Sequence, residues 1–124
     1  MKELETVSLA KCPSYREEAL RPALLELLEP WGGAGGLISS GQKVLLKPNL
    51  LTAAPPEEAV TSHPALISAL VQLFQEAGAR VFIGDSPGGG SYTRVLQVTG
   101  MLEVARKTGA EILSFSEAGG RLVD

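Results

Sequence analysis

Two short runs of consecutive apolar residues constrain the fold of this chain more than any other feature. They occupy residues 44–46 and 81–83. Uninterrupted apolar runs of this length are typical of strands covered on both faces, because strands with one wet face alternate between apolar and polar residues. A helical pattern that begins at Pro64 and stops at Gly78 separates the two runs. A strand, helix, strand order predicts parallel pairing through a right-handed crossover.

The same alternation extends along the rest of the chain. We predict core strands at residues 44–47, 80–84 and 111–115, and a short N-terminal strand at residues 5–10. Two further helices, at residues 92–99 and 101–108, are separated by Gly100. The pattern predicts an α/β fold, namely a three-layer, mostly parallel, Rossmann-like sheet with helices on both faces.

Several local signals predict how the first half of the chain is divided. Ser14 and Glu17 have the spacing of a capping box at the start of a helix, and Pro22 should kink that helix or restart it. The glycine-rich residues 32–36 predict a surface loop, because glycine loses the most backbone freedom on folding. Trp31, just before this loop, is expected to pack back on the core. The proline-containing stretch between residues 49 and 62 is predicted to be a long loop, and such loops are often functional.

Composition excludes several classes of protein. The 124 residues are the size of one domain, 1–124, and the formal net charge of −3 argues against a nucleic-acid partner, which requires a basic surface. Cys12 is the only cysteine, so no disulfide framework or thiolate metal cage is predicted. The acidic N-terminus does not resemble a signal peptide, and no apolar run could span a membrane. A cytoplasmic protein with no membrane partner is the simplest expectation.

The last residues, 119–124, follow the third predicted strand without a closing element. We therefore expect the chain to be the N-terminal part of a longer protein. The missing part would normally cover the polar edge of the sheet, so the loop at 49–62 and the turn at 88–91 should be mobile without it.

Polar side chains follow the two buried strands where each strand should end. Lys47 and Asn49 leave the first strand, and Asp85 and Ser86 leave the second. His63 opens the intervening helix, which in a right-handed crossover starts near the end of the first strand. Because open α/β sheets bind ligands outside the carboxyl ends of their strands, this edge is the predicted site.

Three of these residues are candidates for catalysis, and each also has a structural explanation. Lys47 would supply a fixed positive charge, His63 could exchange protons near neutral pH, and Asp85 would hold one of them in place. Alternatively, Lys47 forms only an ion pair with Asp85, His63 only caps its helix, and Asp85 only opens a turn. Two ligands, His63 and Asp85, are too few to predict a metal site.

The glycine-rich turn after the second strand is a candidate anion site. Glycines such as Gly88, Gly89 and Gly90 allow backbone N–H groups to approach an anion closely. The turn lacks the Lys-Ser/Thr pair of a P-loop, so a nucleoside triphosphate is not indicated. Residues 84–88 also match the G-x-S-x-G pattern around Ser86, but His63 precedes this serine instead of following it, which disfavours a serine hydrolase.

Three ordered motifs resemble the family called domain of unknown function 362. They lie at residues 44–50, 61–64 and 83–89, and the resemblance extends from residue 7 to residue 115. It implies an uncharacterised, redox-associated family whose members often carry a ferredoxin-type module with two four-iron clusters. This chain lacks the cysteines for such a module, so the resemblance implies that any clusters lie in a missing C-terminal part. The motif positions carried over are Lys47, Asn49, Thr61, His63, Asp85 and Ser86, with no catalytic role assigned.

The leading hypothesis is the N-terminal domain of a redox-associated protein that binds a small anionic substrate or cofactor. We expect the ligand-binding residues to be Lys47, Asn49, Thr61, His63, Asp85, Ser86, Gly88, Gly89 and Gly90. One alternative is a phosphate- or nucleotide-binding domain without a redox role. Another is a non-enzymatic module that docks an iron–sulfur protein. The expected partners are a small anion and either the remainder of the chain or an iron–sulfur protein.

Overall fold

A three-stranded parallel sheet organises the fold, which we describe from a computed structural model for residues 5–123. The strands are β1 (Lys43–Leu46), β2 (Arg80–Asp85) and β3 (Glu111–Ser114), in the order β1-β2-β3. Both pairings are parallel, with Leu46 opposite Ile83 and Ile83 opposite Ile112. The α/β class and the parallel pairing of the two apolar runs are therefore confirmed.

Six helices among residues 5–123 connect and flank the strands. They are α1 (Glu17–Leu28), α2 (Ala34–Leu37), α3 (Pro64–Glu76), α4 (Tyr92–Val98), α5 (Met101–Thr108) and α6 (Phe115–Ala118), with 3₁₀ turns at Glu29–Trp31 and Pro56–Glu58. Helix α3 forms the crossover from β1 to β2, and α4 with α5 forms the crossover from β2 to β3. None of the helices among residues 5–123 is long and apolar enough to cross a bilayer.

The main core lies between one face of the sheet and the helices of both crossovers. Two right-handed crossovers that step in the same direction place their helices on the same face of a parallel sheet. Val81 and Ile83 of β2 accordingly pack with side chains from α3, α4 and α5. The buried members of this cluster are Leu50, Ile67, Val71, Phe74, Val81, Ile83, Val95, Leu96, Met101, Val104 and Ala110. Helix α1 forms an outer layer, in which Leu20 and Leu24 pack on α3.

The opposite face of the sheet differs from the prediction. Leu45 points away from the core and remains 47% exposed, and Phe82 and Leu113 are only half-buried. In residues 5–123 this face is covered at one end, where the ring of Phe115 lies over Gly84. The predicted three-layer arrangement with helices on both faces is therefore not confirmed, because both crossovers place their helices on the same side.

The N-terminal segment also differs from the prediction. Residues 5–10 form no strand, and Val7 and Leu9 are almost fully exposed because the segment pairs with no strand of the sheet. The predicted capping box does not form. The N-cap of α1 is Arg16, without a side-chain cap, and the Ser14 hydroxyl accepts a hydrogen bond from the Arg16 N–H instead.

Three further predictions concern residues 22–36. Pro22 lies inside a continuous α1 and does not restart it. The glycine-rich stretch predicted as a loop contains the single turn α2, and Gly36 approaches the Trp31 carbonyl so closely that a Cβ would collide with it. Trp31 remains 41% exposed, so the prediction that it packs on the core is wrong.

The ends of α3 follow the sequence signals. Pro64 is its first residue, and His63 is its N-cap. The helix ends at Glu76, and Gly78 then adopts φ = +93°, a left-handed conformation that glycine adopts without steric cost. A Cβ at Gly78 would lie 3.0 Å from the Cα of Ser40, so this turn also brings two backbone segments into close contact.

We expect Gly78→Ala to destabilise the protein more than Gly109→Ala. Both glycines have positive φ values, +93° and +78°, so each alanine variant should lose about 1–2 kcal/mol through backbone strain. Only Gly78 has Ser40 within contact distance, whereas nothing lies within 4 Å of a Cβ at Gly109. Overpacking should therefore add about 1–3 kcal/mol to the cost at Gly78. Urea unfolding of the two variants measures the difference, and equal losses would contradict this explanation.

Candidate functional site

Asp85, the last residue of β2, connects the carboxyl ends of two strands. Its side chain is only 6% exposed. One carboxylate oxygen, Oδ1, lies 2.8 Å from the Lys47 Nζ, and the other, Oδ2, accepts a hydrogen bond of 2.9 Å from the Leu50 N–H. Leu50 is a fully buried core residue just beyond β1. The carboxylate of Asp85 therefore fixes the chain that leaves β1 against the end of β2.

The carboxylate of Asp85 is stabilised in its ionised form. Burial alone would raise its pKa, but the hydrogen bond and charge of Lys47 and the N–H groups of Leu50 and Ser86 lower it more. The net effect is a pKa below the ordinary value of 3.8. The predicted pairing of Lys47 with Asp85 is confirmed, and Asp85 has a structural role in addition to any functional one.

Lys47 is the exposed partner of this pair. Its side chain is 61% exposed, so its ammonium group lies at the surface. An ammonium group has three N–H donors, and Asp85 Oδ1 needs only one of them. Lys47 therefore presents a cation whose position is set by a nearly buried carboxylate.

The glycine-rich turn lies directly after Asp85. Two of its amides are used within the protein, because the Ser86 N–H is directed at the Asp85 carboxylate and the Gly88 N–H donates to the Leu51 carbonyl at 3.2 Å. Pro87 has no N–H group. In residues 5–123, the N–H groups of Gly89 and Gly90 have no hydrogen-bond acceptor, and both residues are exposed. Within the described residues of this turn, these two amides can therefore donate to a ligand without breaking a bond of the protein.

Tyr92 is a site residue that the sequence analysis did not identify. Its hydroxyl donates to the Leu113 carbonyl at 2.7 Å and accepts from the Asp85 N–H at 3.3 Å, so it joins the ends of β3 and β2. Burial raises the pKa of Tyr92 above its ordinary value of 10.0, and the nearby Asp85 carboxylate acts in the same direction. In the sequence, Tyr92 could have been recognised only by its position, as a tyrosine that follows a glycine-rich turn at the end of a strand.

The long loop between β1 and α3 is closed at its base. The Asn49 N–H donates to the Ser62 hydroxyl at 2.8 Å, and the Ser62 N–H donates to the Asn49 carbonyl at 3.0 Å. The side chain of Asn49 forms no hydrogen bond within the described part of the chain. The buried hydroxyl oxygen of Thr61 also lacks a partner there. The loop therefore begins and ends beside the candidate site, and its predicted mobility stays a prediction.

His63 caps α3 and stacks on the N-terminal segment. Its Nδ1 accepts a 3.1 Å hydrogen bond from the Ala65 N–H, so in this geometry the proton of the neutral ring is on Nε2. Its ring lies parallel to that of Tyr15, with 3.7 Å between the ring centroids. His63 also borders a cavity of about 290 Å³ near Glu103 and Lys107 on α5. These contacts support the predicted cap and involve neither Lys47 nor Asp85.

The structure thus joins the predicted residues into two groups. Lys47, Asp85 and Ser86 are linked directly by an ion pair and hydrogen bonds, and Gly88 of the same turn donates to the Leu51 carbonyl. Asn49, Thr61 and His63 lie along the chain that leads from this group into α3, and Ser62 connects its two ends. The first group forms an edge with a fixed cation and two free amides.

Comparison with known proteins identifies the family. Residues 44–123, well over half of the chain, match the family described as "Domain of unknown function (DUF362)". The chain belongs to the DUF362 family. The matched region includes the ion pair between Lys47 and Asp85, the cap at His63 and the glycine turn. The family resemblance drawn from the three sequence motifs is therefore confirmed.

The chain is also similar to a longer relative. It is 41% identical over 118 residues to the thylakoid-associated protein sll1697 of Synechocystis sp. strain PCC 6803. The aligned region covers 95% of this chain and 36% of the relative, so the chain spans about a third of the relative's length. No solved structure matches the chain.

We expect Asp85→Asn to lower the free energy of unfolding at pH 7 by about 1–3 kcal/mol, because the hydrogen bonds to an ionised carboxylate become weaker ones to an amide. The pKa of Asp85 is lowered in the folded state. Its stabilisation is therefore fully present above the unfolded-state pKa, taken as the ordinary value of 3.8, and is lost as the pH falls through the folded-state pKa. Below about pH 4 the unsubstituted protein should lose stability as the pH falls. The Asp85→Asn variant should lose stability less steeply over the same range.

Urea unfolding at a series of pH values measures both effects. Glu76→Gln is the matched control, because Glu76 forms an exposed ion pair with Arg21 and should contribute less at pH 7. If the free energy of unfolding falls equally steeply below about pH 4 in the unsubstituted protein and in Asp85→Asn, the Asp85 carboxylate does not form the contacts described.

Proposed function

We propose that the carboxyl edge of the sheet binds a small anion that carries a carboxylate or phosphate group. The observation that carries this proposal is the exposed ammonium of Lys47, held 2.8 Å from the nearly buried carboxylate of Asp85 beside the glycine turn. In this arrangement the ion pair already holds the Lys47 side chain in place before a ligand binds. Less conformational entropy is then lost on binding than with a free surface lysine.

The ion pair does not cancel the positive charge of Lys47 toward solvent. The Asp85 carboxylate also receives hydrogen bonds from the N–H groups of Leu50 and Ser86, so its negative charge is shared among three donors. It is buried, whereas the ammonium is exposed. An anion at the surface would therefore contact the ammonium directly, and the buried carboxylate would lie farther away.

The glycine turn would provide the second half of the site. The N–H groups of Gly89 and Gly90 have no acceptor within residues 5–123, and neither residue has a side chain that blocks access. Successive backbone N–H groups in a turn form a concave site that suits an anion. A carboxylate or phosphate oxygen could accept from these amides while another oxygen contacts Lys47.

A proton-transfer role for His63 is a smaller part of the proposal. Its Nδ1 is occupied by the cap, which leaves Nε2 as the nitrogen that could meet a ligand. The proposal of anion binding depends on Lys47, Asp85 and the turn, and it holds without His63. Catalysis by the chain is therefore a separate hypothesis that binding alone would not establish.

An iron–sulfur association would have to involve a polypeptide other than these 124 residues. A four-iron cluster is held by four cysteine thiolates, and this chain has only Cys12, whose thiol is exposed and donates to the Ser14 carbonyl. The residues present therefore do not fit such a cluster. We propose a redox role only for a longer DUF362 protein, in which this region would bind the anionic substrate or cofactor.

The location of the protein in the cell is likewise a proposal. The name of sll1697 describes that relative as thylakoid-associated. The cytoplasmic location that we infer from the sequence would allow contact with a membrane surface through a partner, without a spanning segment of this chain.

We expect Lys47→Ala to weaken phosphate binding at least about tenfold, because it removes the cation that the Asp85 carboxylate holds at this edge. Titration with inorganic phosphate at constant ionic strength, followed by ¹⁵N NMR, measures the effect. The amide signals of Gly89 and Gly90 should shift with phosphate in the unsubstituted protein and should hardly shift in the variant.

Lys43→Ala is the matched control, since Lys43 is an exposed lysine at the opposite end of the same strand. It should bind phosphate as the unsubstituted protein does, and Lys47→Arg should retain part of the affinity. Circular dichroism checks that each variant is folded. Equal weakening by both alanine variants would indicate nonspecific attraction and reject the site, as would signals of Gly89 and Gly90 that do not respond to phosphate.

A further inference from the structure

The uncovered face of the sheet is a feature that the proposed anion site does not use. We call it the open face and define it by Lys43, Leu45, Arg80, Phe82, Gly84, Glu111 and Leu113. These residues alternate with the core-facing residues along the three strands, as side chains do in a pleated sheet. None of the apolar residues among them belongs to either buried cluster of residues 5–123.

The centre of the open face is apolar. Leu45 lies opposite Phe82 in the register of β1 and β2, and Leu113 lies opposite Gly84 in the register of β2 and β3. Leu45 is 47% exposed, and Phe82 and Leu113 are half-buried. Parallel sheets occur almost only with both faces covered, so a parallel sheet with one open apolar face lacks a layer.

The border of the open face has a defined shape and charge. At the amino ends of the strands, Arg80 lies over the Phe82 ring at 5.2 Å and pairs with Glu111, whereas Lys43 has no ion-pair partner within residues 5–123. At the other end, the missing Cβ of Gly84 leaves room for the ring of Phe115. The open face therefore has an apolar centre between a charged border and one aromatic ring.

The comparison with sll1697 indicates what could cover this surface. The aligned region accounts for 36% of that relative, so roughly two-thirds of a protein of that length lies outside it. We propose that the open face is the docking surface for the part of a DUF362 protein that corresponds to the unmatched region of sll1697. The occupant would present an apolar layer to Leu45, Phe82 and Leu113 and a carboxylate to Lys43. This docking does not depend on anion binding, because none of the residues that define the open face belongs to the proposed anion site.

Co-expression of this chain with the unmatched region of sll1697 tests the proposal. We expect a one-to-one complex in sedimentation velocity. Leu45→Asp should weaken this complex at least about tenfold, because it places a charge at the centre of the apolar contact. Leu102→Asp is the matched control, since Leu102 is 41% exposed but lies on α5, outside the open face. Circular dichroism of the two variants alone checks that both remain folded.

Each outcome decides the proposal. A one-to-one complex that Leu45→Asp weakens and Leu102→Asp leaves intact supports it. A complex that both variants weaken equally, or neither weakens, overturns it, because the contact then lies elsewhere. Self-association of this chain through Leu45 without the second polypeptide also overturns it, since the occupant would be a second copy. The absence of any complex overturns it as well.

Discussion

The buried carboxylate of Asp85 is the interaction on which the candidate site depends. It receives the Lys47 ammonium on one oxygen and the Leu50 N–H on the other, so the end of β2 determines the path of the chain that leaves β1. Because Leu50 is fully buried, the same contact links the polar edge to the hydrophobic core. Loss of this carboxylate would therefore alter the position of the cation and of the loop that follows it.

The rest of the edge is arranged around that carboxylate. The Ser86 N–H also stabilises its charge, and the next residues form the turn in which the amides of Gly89 and Gly90 have no acceptor among residues 5–123. Tyr92 returns the chain to the sheet and joins the ends of β2 and β3 through its hydroxyl. The turn can thus be rich in glycine and still lie in a defined place, because both of its ends are anchored to strands.

Sequence patterns predicted the features that depend on local chemistry. The apolar runs predicted the positions and parallel pairing of β1 and β2, although β1 is exposed along one face. Pro64 and Gly78 marked the limits of α3 to within two residues. The ion pair between Lys47 and Asp85 was predicted because the carboxyl ends of parallel strands lie at the same edge of a sheet. The bond between Asp85 and the Leu50 N–H, the role of Tyr92 and the open face depend on three-dimensional register and on the direction of two crossovers. No short stretch of sequence contains that information, so helices were predicted on both faces.

Amide hydrogen exchange of Leu50, measured by NMR, tests the central claim most directly. Leu50 lies in a loop outside regular structure, so its N–H would exchange rapidly if it were free to contact water. If the Asp85 carboxylate holds it, this amide should be protected to a degree similar to that of Ile83 in the central strand. Exchange of the Leu50 amide as fast as that of Gly89 in the turn would contradict the account.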